Sequence, residues 1–487
     1  MPNVLAFEGE KSATFKCDYR LKSNVDIQRW IKKTSKGNQV IYTSENLEKF
    51  KTKTEVQKYE ADFDQKSAQL KINQVEVADA GVYSCEVVSK KLPTNTQRKK
   101  FANLVVPLDV FGSALVREKP HVYRHPAVVF ADMHFFVFCE EQVAENYTKG
   151  LLRRGKLKEH SRIEWEPEQP ILDMKNTRFE NLVPIVVDEK KGDVILVCVE
   201  RTAQQDCCKL VQLSSTDKKP WSGKADVNLK WPEDMQNGAE ICFIGPGHGL
   251  CLQSGHLAVA GFFKFSEHVH LCMLISENKS ETWEVVPIIS SIIDSASFGN
   301  HAQIVEYAKN QVCITCSLAN CQQRFNVFLK YKVYKDKLEP TLIKANPECQ
   351  IVEYAKNQVC ITTSLRKLEP TLIEANPGCQ VGIVSIPDEK KGRFNFVAFT
   401  NPADKSHFKD LSVRLSKDGC ETWTDPLYTL GRKFAKSSDL AYYKVKGFFT
   451  DDKGIACVYE NINATDMNNN CYSIVMQLIS LDEIKKH

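Results

Sequence analysis

Eighteen cysteines and eleven histidines are the residue types from which a metal or redox centre could be built. Their spacing builds none. The C-x-x-C string, Cys313 to Cys316, falls in a run that reads as a strand, where period-two alternation sends the two thiols to opposite faces. His268 and His270 have no further ligand nearby, and Cys139, Cys198, Cys272, Cys313, Cys360 and Cys457 sit singly inside apolar runs, as small buried hydrophobes do. The sequence therefore predicts neither metal nor cofactor. Lys and Arg number 65 against 61 Asp and Glu, a net charge of +4, and the cations are scattered. The clusters Arg98-Lys99-Lys100 and Arg153-Arg154 read as solvated loop charge, so no nucleic-acid partner is expected.

Any chemistry depends on the elements that position it. A chain of 487 residues, 43% apolar and 26% charged, has room for roughly two to four domains, and it contains no run of about 18 apolar residues that would span a bilayer. The first hundred residues place Cys17, then Trp30, then Asp79-Ala80-Gly81-Val82-Tyr83-Ser84-Cys85. This pattern resembles the variable-type immunoglobulin domain, here residues 1–110. The resemblance implies a Cys17–Cys85 disulfide between two sheets, an indole packed on it, and a tyrosine corner at Tyr83. It also implies work as a binding module for an unidentified protein partner and, because the bridge needs oxidising conditions, a place outside the cell or on its surface. The chain starts Met1-Pro2-Asn3-Val4-Leu5 directly on the expected first strand, with no signal peptide to read. Acceptor triplets for glycosylation stand at Asn146, Asn278 and Asn463.

From Gly112 onward, short β-type runs alternate with turn residues, which predicts an all-β sandwich, barrel or propeller. A recurring string decides among them. Ser416-Lys417-Asp418-Gly419-Cys420-Glu421-Thr422-Trp423 has relatives at Ser276 to Trp283 and Ser215 to Trp221. Its Ser, Asp and Thr side chains suit a tight turn and its Trp suits packing between sheets, so it is a folding device repeated per blade. These strings resemble the Asp-boxes of sialidases, whose fold is a six-bladed β-propeller. Tyr123-Arg124-His125-Pro126, Phe138-Cys139-Glu140-Glu141-Gln142, Leu152-Arg153-Arg154-Gly155, Gly245-Pro246-Gly247-His248-Gly249, Gly378-Cys379-Gln380 and Cys457-Val458-Tyr459-Glu460 extend the resemblance over residues 115–483. It is closest to the animal cytosolic and membrane-associated sialidases.

That resemblance implies exo-sialidase chemistry on sialylated glycoproteins or glycolipids, including ganglioside catabolism. Three guanidinium groups would grip the sugar carboxylate, whose planar anion their forked donors match. A tyrosine activated by a glutamate would attack the anomeric carbon, because the sugar's own carboxylate repels an acidic nucleophile. Carried over, the first arginine is Arg124, the second Arg366 after Gln350-Ile351-Val352-Glu353, and Glu353 is the tyrosine-activating carboxylate; Glu306 is its competitor. Alternation in an inner strand would aim Glu353 and Glu141 at the central cavity. The remaining positions depart from the pattern: Phe408 stands where the third arginine belongs, Ser437 where the phenol belongs, Phe262 where a pocket tyrosine belongs, and the acid loop carries Glu145 in place of an aspartate. Tyr442 and Tyr443 are out of register. The competing function is therefore a glycan-binding protein with a worn catalytic pocket. As in related sialidases, a cytoplasmic, membrane-associated or lysosomal location is the alternative to the exterior.

Residues 303–318 and 350–365 are nearly identical, and 337–350 repeats at 367–380. Identity this high exceeds ordinary blade-to-blade likeness. Because the second copy keeps Arg366 where the first has Ala319, residues 350–380 are expected to complete the pocket and 303–336 to be an inserted or alternative version.

Overall fold

The computed structural model describes residues 4–6, 10–18, 27–34, 37–43, 58–63, 67–76, 79–88, 97–105 and 107–112. It further describes 122–158, 163–202, 208–216, 220–235, 239–265, 268–277, 282–290, 298–318, 324–334, 337–346, 350–355 and 358–362. Near the end these are joined by 379–388, 393–404, 406–430, 434–445, 452–462, 471–481 and 484. Two compact units emerge, one of residues 1–109 with 429–432, the other of the remainder.

In the first unit, five strands order as Val4–Leu5, Gln97–Val105, Gly81–Val88, Ile27–Thr34 and Gly37–Thr43, and face three more, Ser12–Asp18, Ser67–Asn73 and Tyr59–Phe63. Alternation supplies the filling. On Ser12–Asp18 the inward residues Ala13, Phe15 and Cys17 are buried, and on Ser67–Asn73 they are Ala68, Leu70 and Ile72. Cys17, Trp30 and Cys85 share one core cluster, with Trp30 fully buried. Tyr83 turns the expected corner, its hydroxyl donating to the Asp79 carbonyl at 2.6 Å. Lys58 holds the Asp79 carboxylate at 2.8 Å.

Among the described residues the second unit is six blades of antiparallel strands in chain order, the first two joined into one sheet by a parallel pairing of Tyr147–Leu157 with Thr177–Asp188. Their inner strands are Val122–Ala131, Thr177–Asp188, Ala239–Ile244, Phe298–Ala308, Gly382–Asp388 and Ala435–Val445. Each inner edge touches that of the next sheet and the sixth returns to the first, so the sheets close a ring. Leu108–Gly112 supplies the outer strand of the sixth sheet beside Cys471–Ser480, so an N-terminal segment closes the last blade. A six-bladed propeller is the architecture.

Tryptophans wedge the blades apart. Trp221 meets Phe138 edge-on at 5.7 Å between blades one and two. Trp283 lies in the cluster shared by blades two and three, its indole N–H donating to Gln212 Oε1 at 3.0 Å. Trp423 packs tilted against Phe399, ring centres 5.0 Å apart, between blades four and five. Each belongs to one of the recurring strings, and in the fully described one the turn is built as the side-chain chemistry demands. Asp418 accepts from the Thr422 N–H at 3.0 Å and from both the Ser416 and Thr422 hydroxyls, while Ser416 Oγ accepts from the Cys420 N–H at 2.8 Å. Gly419 takes the positive φ of 77° that the turn requires.

The duplicated stretch folds the other way round from the expectation. The first copy supplies inner strand Phe298–Ala308 and its partner Gln311–Leu318, continued by Arg324–Tyr334 and Lys337–Asn346 into a complete fourth blade. Among the described residues the second copy forms a hairpin, Gln350–Ala355 with Gln358–Thr362, laid parallel against Thr282–Ser290 on the outer edge of blade three. The two copies differ in the chain that comes after them. Residues 319–336, which include the third strand of blade four, have no counterpart after the second copy, which passes from Leu365 through Arg366 straight into the repeat of 337–350. The sequence that supplies the third strand in blade four is thus missing after the second copy.

Candidate functional site

At the axis the inner strands are interrupted so that their side chains converge. Pairing between the first two strands of blade one shifts register between Arg124 and Ala127, and His125 there adopts φ +50°. In blade three the inner edge breaks at Gly245-Pro246-Gly247-His248-Gly249, where the glycines at 245 and 247 have φ of +58° and +107°. A Cβ on Gly247 would collide with Gln303. The opened backbone is pinned by Asp439, a carboxylate with 0% exposure. Its Oδ2 accepts from the N–H of Val128 at 2.9 Å and of His248 at 3.2 Å, and its Oδ1 accepts from His248 Nδ1 at 2.9 Å. Gln380 Nε2 donates to the Pro126 carbonyl at 2.6 Å, while the Gln380 carbonyl accepts from Ser438 N–H at 3.1 Å. Gln303 Nε2 donates to the Pro246 carbonyl. Blades one, three, four, five and six are thus tied by side chains at the axis.

Beside this tie lies a cluster of ionisable groups. The imidazole of His125 stands 3.1 Å from Glu140 Oε2, whose other oxygen accepts from Asn181 N–H at 2.6 Å. The His125 N–H donates to Glu460 Oε1 at 3.0 Å. Burial disfavours charging His125, but the Glu140 charge and hydrogen bond, with Glu460 behind them, prevail over Arg124 and raise its pKa above 6.5. His301, on the inner strand of blade four, has its ring 6.1 Å from that of His125. Its pKa is held well below 6.5 by burial and by the positive fields of His125, Arg324 and Lys436. Arg324 is buried, donating from Nε to Thr315 Oγ1 at 3.1 Å and from Nη1 to the Cys379 carbonyl at 3.1 Å. Lys436 Nζ sits 5.1 Å over the Phe408 ring. The arrangement can hold an anion: cations and imidazoles from blades one, four and six meet at one place, with Glu140 and Glu460 orienting His125.

The expected residues divide. Arg124 lies on the inner strand of blade one, cross-strand from Glu140 and next to His125. Glu141 is buried but, one residue on, points the other way and hydrogen-bonds Tyr123, whose phenol pKa is raised by burial and by this carboxylate. Its strand is the second of the blade, so Glu140 and not Glu141 reaches the cluster. Glu353 lies in the hairpin on the outer edge of blade three and not on an inner strand, because the second copy builds no blade. Arg366 lies outside the described residues. The competitor Glu306 is buried but sits five positions along its strand from His301, about 17 Å at ~3.4 Å per residue. There it accepts from Tyr331 Oη at 2.5 Å and Gln253 N–H at 2.9 Å, bracing the hairpin end.

Ser437 is 2% exposed and Phe408 underlies Lys436. Tyr443 is a core residue, edge-on to Phe135 at 5.6 Å, and Phe262 packs on Phe243 at 4.8 Å. Sequence reasoning missed Arg324, His301, Lys436 and the role of Glu140. A histidine in Tyr-Arg-His-Pro was a visible signal for His125, but nothing local marked its partners.

Comparison with known proteins agrees with both units. The immunoglobulin V-set domain family matches residues 2–106. Sialidase-3 of Rattus norvegicus is 28% identical over 189 residues, covering 33% of this chain and 45% of the relative, and Sialidase-3 of Mus musculus is 27% identical over the same length and shares. The chain thus spans about half the length of the curated relatives it matches. Among solved structures, an alpha-L-arabinanase of Penicillium chrysogenum superposes with TM-score 0.46 at 11% identity, covering 77% of this chain and 98% of that one. A GH93 alpha-L-arabinofuranosidase of Fusarium graminearum gives 0.44 at 10%, covering 78% and 98%.

Proposed function

For a chain that joins an immunoglobulin V-set domain to a propeller and is related to sialidases, we propose that the propeller binds the carboxylate of a terminal sialic acid on a glycoprotein or glycolipid without cleaving the bond. One observation carries this reading: Arg124, Arg324, Lys436, His125 and His301 gather at the axis, while the positions for nucleophile and third arginine hold a buried Ser437 and Phe408. Guanidinium groups held in place suit a planar anion. A buried serine hydroxyl is a poor substitute for a phenol activated by a glutamate. The turn around Asp418 supports reading its string as an Asp-box, and hence the glycosidase-like ancestry of the fold.

The test separates binding from hydrolysis. A fluorogenic sialoside incubated at pH 4 to 7 is expected to release no alcohol, while calorimetric titration with the unsaturated sialic acid analogue detects binding. Arg124→Ala weakens that binding by about 2 to 4 kcal/mol, roughly 30- to 1,000-fold in Kd. Release of the fluorophore at an enzymatic rate would make the protein a hydrolase and overturn the reading.

The V-set unit we assign to an unidentified protein partner, in an oxidising compartment. Cys17 and Cys85, buried in one cluster from facing sheets, support a bridge. Peptide mapping without reductant is expected to recover the two cysteines in one linked species that separates on reduction. Recovery of both as alkylated thiols from secreted protein would remove the argument for the exterior.

A further inference from the structure

Two imidazoles face each other at the axis in opposite electrostatic situations. His125 is anchored by carboxylates: Glu140 at 3.1 Å on its ring and Glu460 at 3.0 Å on its backbone N–H. Among the described residues no carboxylate pairs with His301. Its buried Nδ1 meets no hydrogen-bond partner there; the Nδ1 of His125 lacks an aligned hydrogen bond too, but lies 3.1 Å from the Glu140 carboxylate. The groups acting on His301 are His125 from blade one, Arg324 from the third strand of blade four, and Lys436 from blade six, all cationic or cation-forming. Arg124, Glu140 and Glu460 act on His125. A buried ring nitrogen surrounded by positive charge stays neutral while the pocket is empty. An anion seated there reverses the local field, and the ring then gains by taking up a proton and donating to the ligand.

We propose that His301 is a pH-sensing residue of the glycan pocket, neutral when the pocket is empty and protonated when an acidic sugar binds, so that affinity rises as pH falls. The inference rests on the acidic-glycan reading above and deepens it. By linkage, uptake of one full proton per ligand changes affinity by about tenfold per pH unit, between the pKa of His301 in the empty and in the occupied pocket. The empty-pocket value lies well below 6.5, so the gain extends below neutral pH. His125, whose pKa Glu140 already raises above 6.5, adds any uptake of its own toward the alkaline end of the range, and the His301→Gln variant separates the two.

The test is calorimetric titration of the full chain with 3′-sialyllactose at pH 7.5, 6.5 and 5.5, each in two buffers of different ionisation heat, with lactose as the neutral control. Expected are a net uptake approaching one proton per ligand, an affinity gain of several-fold to tenfold per pH unit, and no such gain for lactose. His301→Gln, which keeps a hydrogen-bonding side chain but cannot charge, is expected to abolish the proton uptake and flatten the slope while sialyllactose still binds. Binding that is independent of pH, with no proton uptake in wild type, overturns this inference and leaves the glycan reading standing. The same slope persisting in His301→Gln also overturns it. No binding of sialyllactose at any pH overturns the glycan reading and the inference with it.

Discussion

Asp439→Asn destabilises the propeller by about 3 to 5 kcal/mol, read as a drop in the urea midpoint of the intact chain. The carboxylate has no solvent to fall back on, and three donors from two other blades need both of its oxygens. Asparagine offers one acceptor oxygen. Its amide group must then face either the imidazole or the two backbone N–H groups, leaving buried donors opposed. The pH dependence has a definite sign. Burial disfavours the charged imidazole of His248, but the Asp439 charge and hydrogen bond raise its pKa above 6.5. A raised folded pKa contributes stability that is fully present below 6.5 and lost as pH climbs through the folded value. The variant lacks that contribution, so its deficit against wild type is largest at acid pH and narrows on the alkaline side. A deficit that grows with pH, or no deficit, would show that the axis is not held together by this pair.

Trp283→Ala costs about as much, 3 to 5 kcal/mol on the usual scale for a buried aromatic reduced to methyl. The indole is 1% exposed, lies in the cluster shared by blades two and three, and gives its N–H to Gln212 across the blade boundary. Truncation opens a cavity at a blade contact and leaves the Gln212 oxygen without that donor. Trp283→Phe refills most of the volume and recovers part of the loss, the remainder measuring the hydrogen bond. Equal stability of the alanine variant and wild type would mean that the recurring strings do not set blade packing.

How far the amino-acid pattern discloses this molecule depends on the range of the interaction concerned. Cys17, Trp30 and Tyr83 announce their sandwich because the residue types are distinctive and the geometry they serve is compact. The strings ending in Trp221, Trp283 and Trp423 announce blades for the same reason, since the turn around Asp418 is satisfied by residues within four positions. The axis is different. Arg124 was legible from its motif, but Arg324, His301 and Lys436 meet only once the ring closes, and no local period says which blade faces which. Alternation tells that Glu140 and Glu141 look opposite ways without telling which one looks at His125. The duplicated stretch shows the limit most clearly: 303–318 and 350–365 share nearly every residue, yet the first lies in the inner strand of a blade and its partner, while Gln350–Ala355 and Gln358–Thr362 pair at the outer edge of another. The missing equivalent of 319–336 was the available clue, and it outweighs the presence of Arg366.

A crystal of the full chain soaked with the unsaturated sialic acid analogue tests the axial pocket most directly. The expected result is an intact ligand at the axis, its carboxylate held by Arg124 and within reach of His301, Arg324 and Lys436. A ligand bound elsewhere on the propeller, or an axis that stays unoccupied at saturating ligand, would contradict the account.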